Sequence, residues 1–132
     1  MKDNDEPLFD FDKPSTSSPN LGGAELEARI RGLVDEQPYA VLCTQSQTQP
    51  YGALVAFAFS ENLEQAVLAT SVATRKFRIL SECRQVALVI DSRPSHPENF
   101  MKVEAVTATG RATLLEQPAE LDRWAQLLLA RH

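Results

Sequence analysis

Three short apolar runs, residues 39–45, 51–59 and 65–70, follow one another with short, mostly polar links between them. Strand-forming segments this close together pair antiparallel with their chain neighbours, since a parallel pair needs a crossover of about a dozen residues or more. A meander is therefore expected. Its first two strands are joined through Ser46-Gln47-Thr48-Gln49-Pro50, and the second and third through Ser60-Glu61-Asn62-Leu63-Glu64.

The pattern changes period on either side of this meander. Upstream, Leu26, Ile30, Leu33 and Val34 recur at helical spacing opposite Glu25, Glu27, Arg29, Arg31 and Asp35, predicting an amphipathic helix that ends before Pro38. Downstream, residues 72–83 take helical spacing again, with Phe77 and Leu80 on one face and Arg75, Lys76 and Arg78 beside them. Residues 86–90 are apolar on both faces and predict a central strand, the most buried segment of the chain. A loop over 91–100 with Pro94 and Pro97 leads into a long β-prone stretch, 102–115. There Gly110 predicts a bulge or bend of the kind barrels use at corners. A last helix from Pro118 carries Leu121, Trp124, Leu127 and Leu128 as its apolar stripe. Helix, three strands, helix, strand, loop, long strand, helix is not the strict alternation of a doubly wound sheet. It predicts a mainly β (α+β) fold, an antiparallel barrel with peripheral helices.

With 132 residues, 43% of them hydrophobic, the chain can bury one core. Residues 1–23 mix acids, three prolines and Ser15-Thr16-Ser17-Ser18 with few groups to bury, predicting a disordered tail ahead of one domain over 24–132. The longest apolar runs fall far short of the ~20 residues of a membrane-spanning helix, and the acidic start does not read as a secretory signal, so a cytoplasmic location is expected. Cys43 and Cys83 lack CxxC spacing and read as reduced and mostly buried. His96 and His132 have no companions at ligand spacing, so no metal is expected. The net charge of −5 without a basic stripe makes nucleic acid a poor partner.

The segment richest in chemistry is Ala69-Thr70-Ser71-Val72-Ala73-Thr74-Arg75-Lys76, where a strand ends in hydroxyls and a helix opens on two cations. Free N–H groups and the positive end of the dipole attract anions there, and a guanidinium beside an ammonium completes a phosphate cradle. On residue types alone, a solvated charged face is the commoner reading. However, cations in a first turn oppose the dipole unless an anion sits among them, which favours the cradle. Asp91, Ser92 and Arg93 read as turn residues, Tyr39 and Tyr51 as strand packing, and no side chain reads convincingly as acid, base or nucleophile.

This segment, the following Leu80, Arg84 and Val86-Ala87-Leu88-Val89, and the upstream Pro50-Tyr51-Gly52-Ala53-Leu54-Val55-Ala56-Phe57 resemble the FMN-binding split barrels related to pyridoxamine 5'-phosphate oxidase. The resemblance covers residues 26–124 and implies FMN as cofactor. Arg75 and Lys76 match the phosphate ligands. Ala69, Thr70, Ser71 and Thr74 match the strand end and turn along the ribityl phosphate, and Leu54, Val55, Ala56 and Phe57 match the strand whose backbone faces the isoalloxazine ring. It further implies a homodimer with the cofactor between subunits, and a flavin-dependent oxidoreductase acting on a small organic molecule. A non-catalytic flavin, deazaflavin or haem binder on the same fold is the alternative. The chain departs from the oxidases in three ways: residues 53–59 carry no basic group, Ala105 stands where a glutamine is usual, and the substrate-phosphate-binding arginine and histidine set is missing. Pyridoxine metabolism is therefore not supported. Many relatives continue past the point corresponding to Arg131-His132 into another strand, so the expectation is either a shortened sequence or a member that lacks a closing element.

Overall fold

The computed structural model describes residues 22–69 and 75–132. It holds five strands and three helices in the order α1 (Gly23–Glu36), β1 (Tyr39–Ser46), β2 (Gln49–Phe59), β3 (Ala66–Leu68), α2 (Arg75–Glu82), β4 (Gln85–Asp91), β5 (Ala105–Arg111) and α3 (Pro118–Arg131). The strands form one antiparallel sheet ordered β3-β2-β1-β4-β5, a half-barrel flanked by the helices. The first three strands make the expected meander, and β4 then returns to the far side of β1.

β1 and β2 pair over eight positions, from Tyr39 opposite Ala56 to Ser46 opposite Gln49. The connection is thus tighter than the five-residue link expected, because the strand pattern continues through its polar residues. Only Gln47 and Thr48 lie between the paired ends, and Gln47 takes φ 57°, the positive value a two-residue hairpin turn asks of its first central residue.

Alternation along this hairpin decides what is buried. Ala40, Leu42 and Thr44 of β1 and Val55 and Phe57 of β2 face the core, which α1 covers with Leu33 and Val34 and β4 completes with Leu88 and Ile90. β4 is not the most buried segment, since Ala87 and Val89 are only half-buried on its other face; residues 55–58 of β2 are more enclosed. The apolar residues of β4 serve two faces, of which the described chain covers one.

β5 is shorter than the 102–115 stretch. Asn99 accepts a bond from the Met101 N–H at 3.1 Å and caps a 3₁₀ turn over Phe100–Lys102, so the strand begins only at Ala105. Gly110 makes no bulge: the register runs unbroken from Asp91 opposite Ala105 to Gln85 opposite Arg111. Of the α3 stripe only Trp124 is buried, while Leu121 and Leu127 remain exposed. Cys43 and Cys83 are free and half-buried.

At the end of β4 the buried Ser92 donates its N–H to the Glu104 carbonyl at 2.9 Å, and its Oγ accepts from the Glu104 N–H at 2.8 Å, closing the 92–104 loop. Arg29 of α1 pairs with the Glu104 carboxylate and ties the helix to the same point. Beside it, burial pushes the Asp91 carboxyl up, but the Arg93 guanidinium at 2.7 Å, the Arg93 N–H at 2.9 Å and the Arg93 charge hold it below the usual carboxylate range. A carboxylate held low in the folded state stabilises it above about pH 4, and this contribution is lost as pH falls through the lowered value. Asp91→Asn is expected to flatten the acid limb of a thermal-stability profile below about pH 4. The effect is small, under about 1 kcal/mol, because the Arg93 side chain stands largely in water.

Candidate cofactor site

β3 pairs, among the described residues, only with Phe57–Phe59 of β2. Among the described residues, no strand lies beside the same edge of β2 from Tyr51 to Ala56. The described chain leaves that edge at Ala69, just past β3, and returns at Arg75, whose guanidinium lies over the Tyr51 ring at 5.5 Å. The two ends of the hydroxyl-rich segment are thus both set beside β2, Ala69 next to the end that β3 pairs and Arg75 on the ring of Tyr51.

α2 is fixed across the end of the β1–β2 hairpin. Ile79 is buried and Leu80 packs against the core. Near its C-terminal end, the Ser46 hydroxyl of β1 lies 2.6 Å from Glu82 Oε1, and at its first residue Arg75 rests on Tyr51 of β2. No carboxylate among the described residues pairs with Arg75. A guanidinium that is placed but has no carboxylate partner among the described residues fits an anionic group, and its five N–H donors match a phosphate edge-on.

The predicted site residues divide by what the strand does with them. Leu54 is 66% exposed and Ala56 half-buried on the open sheet face, whereas Val55 and Phe57 point into the core and could meet a ligand only through their backbone. Ala69 is exposed at the end of β3. Thr70, Ser71 and Thr74 lie outside the described residues, as does the side chain of Lys76. Tyr51, read from sequence as strand packing, also contacts the predicted phosphate ligand; nothing in local spacing signals this, because the contact joins residues 24 positions apart. Ala105 opens β5 opposite Asp91, on the far side of the sheet from β2.

Elsewhere, a shallow groove of about 430 Å³ lies between α1, α3 and the turn after β2, lined by Arg31, Val34, Phe59, Leu63, Leu127 and Arg131 among others. It contains none of the predicted site residues. No group of three or more His, Cys, Asp or Glu among the described residues could hold a metal ion, and no described helix is long and apolar enough to cross a membrane.

A family model described as pyridoxamine 5'-phosphate oxidase matches residues 26–132. The chain belongs to this family. Its fold is similar to that of HutZ, the heme storage protein of Vibrio cholerae, at 22% identity over 80% of this chain and 72% of that one, with a TM-score of 0.64. It is also similar to a conserved hypothetical protein of Mycobacterium tuberculosis, at 17% identity over 91% and 69% of the two chains and TM-score 0.71. A heme binding protein from Mycobacterium smegmatis matches at 20% identity and TM-score 0.70 over 87% of this chain but only 45% of its own length. At these identities the likeness is one of fold. No curated protein sequence matches the chain significantly.

Proposed function

We propose that this member of the pyridoxamine 5'-phosphate oxidase family binds FMN along the open edge of β2 and uses it to oxidise or reduce a small organic molecule. The observation that carries the reading is Arg75, held on Tyr51 at a stretch of β2 whose outer side no described strand pairs, and without a carboxylate partner among the described residues. Arg75 and Lys76 would hold the phosphate with Thr70, Ser71 and Thr74, and the backbone of 54–57 would face the ring. FMN itself supplies the redox chemistry when bound. The chain's residues bind and orient: the cations neutralise the phosphate, and the apolar Leu54 and Ala56 offer a dry wall. No side chain needs to act as acid, base or nucleophile.

Purified protein is expected to bind FMN with a shifted flavin absorbance. Arg75→Ala/Lys76→Ala is expected to weaken binding about 100-fold or more, the loss of two charge-assisted contacts at about 1.5 kcal/mol or more each. Binding unchanged by the double substitution would remove the assignment.

A second reading, a haem carrier or sensor, is favoured by the similarity of the fold to a heme storage protein and a heme binding protein. A Soret band in protein purified from haem-replete cells, together with no affinity for FMN, would select it.

We also propose that two copies pair through the open sheet face, where Leu54 and Tyr39 are 66% and 55% exposed beside the half-buried Val41, Ala56, Ala87 and Val89. An apolar sheet face of this kind is a natural subunit contact. Leu54→Glu is expected to weaken dimerisation at least tenfold in analytical ultracentrifugation; a wild-type monomer at all concentrations would overturn the pairing.

A further inference from the structure

The Arg75–Tyr51 contact has a geometric consequence for ligand choice. Arg75 Cζ lies 5.5 Å from the Tyr51 ring centre, within cation–π range, and such a contact uses the charge of the guanidinium and none of its five N–H donors. The ring contact and phosphate binding are therefore compatible. The ring also confines a side chain that is otherwise rich in rotamer freedom.

The platform is itself well held. Tyr51 is half-buried at the end of the core-facing column that runs through Val55 and Phe57, opposite Thr44, whose hydroxyl donates to the Tyr51 carbonyl at 3.2 Å. The helix bearing Arg75 is anchored independently by Ile79 and by the Ser46–Glu82 contact. Ring and guanidinium thus belong to separately fixed elements, and each limits the other's freedom.

We propose that Tyr51 is a positioning residue that sets the Arg75 guanidinium for a phosphate monoester, and so gives the site its preference for FMN over riboflavin. This inference rests on the FMN reading above. Its ring carries the effect and its hydroxyl does not.

The test compares dissociation constants of FMN and riboflavin for wild type, Tyr51→Phe, Tyr51→Leu, Arg75→Ala and the Tyr51→Leu/Arg75→Ala double variant, in full-length protein. Tyr51→Phe is expected to keep the FMN-to-riboflavin preference. Tyr51→Leu is expected to reduce FMN affinity about three- to fivefold and leave riboflavin unchanged, and the double variant to lose no more than Arg75→Ala alone. A merely structural role would weaken both flavins together. If Tyr51→Leu folds poorly, Tyr51→Thr, β-branched and suited to a strand, takes its place. FMN affinity unmoved in the ring-deleted variant but lowered in Arg75→Ala would overturn the role of Tyr51 while sparing the phosphate ligand. A preference unmoved by Arg75→Ala, or absent from wild type, would overturn the FMN reading and the inference with it.

Discussion

Phe57→Ala is expected to cost about 4 kcal/mol of folding stability, the largest effect of any single substitution considered, because a large side chain removed from an enclosed core leaves a cavity. Phe57 has no exposed surface and is among the largest fully buried residues. Its ring meets Phe59 edge-on at 5.8 Å, the Arg131 guanidinium lies over it at 4.8 Å, and its carbonyl is 3.0 Å from His132 Nε2. One residue thus joins the core of the sheet to the end of α3. Urea denaturation read by far-UV circular dichroism would measure the loss; a cost under about 1 kcal/mol would mean the cavity collapses or the ring is not enclosed.

Arg131→Ala is expected to cost about 3 kcal/mol, through polar rather than apolar contacts. Its Nη2 donates to the Val34 carbonyl at 2.6 Å and to the Gln37 carbonyl, both at the C-terminal end of α1. A cation there satisfies carbonyls the helix cannot and meets the negative end of the dipole. Hydrogen bonds to a charged group contribute about 1.5–3 kcal/mol each, and the partners left behind are partly enclosed. Arg131→Lys keeps the charge but not the forked donors, and should recover less than half of the loss. Because Arg131 also stacks on Phe57, the double variant should cost about 1 kcal/mol less than the two single costs combined. Full additivity in the same urea experiments would show that the stacking carries no energy.

The meander, the framing helices and the antiparallel half-barrel were legible in the sequence, because period-2 and period-3.6 patterns report directly on burial. The segment from Ala69 to Lys76 was legible as chemistry because cations at a helix start oppose the dipole. What escaped depends on contacts distant along the chain. The side chain of Tyr51 looks like any strand aromatic until α2 brings Arg75 onto it. Arg131 looks like a last-turn surface cation, yet it caps a helix 94 residues upstream. β5 looks longer in the sequence for a local reason: residues 102–104 are β-prone, but Asn99 and Ser92 capture the backbone before pairing begins. Gly110 suggests a corner because glycine frees the backbone, although no turn of the strand draws on that freedom.

The half-barrel has two rims, and they differ in length. β3 has only three residues, whereas β5 has seven, Ala105-Val106-Thr107-Ala108-Thr109-Gly110-Arg111, of which only the last is charged. Among the described residues, no strand covers the outer side of β5, so its peptide groups form a template onto which another extended chain can add. This rim sets a ceiling on how concentrated the protein can be kept before molecules begin to associate side by side. Thr107→Lys would raise that ceiling without touching the outer side of β2, across the sheet.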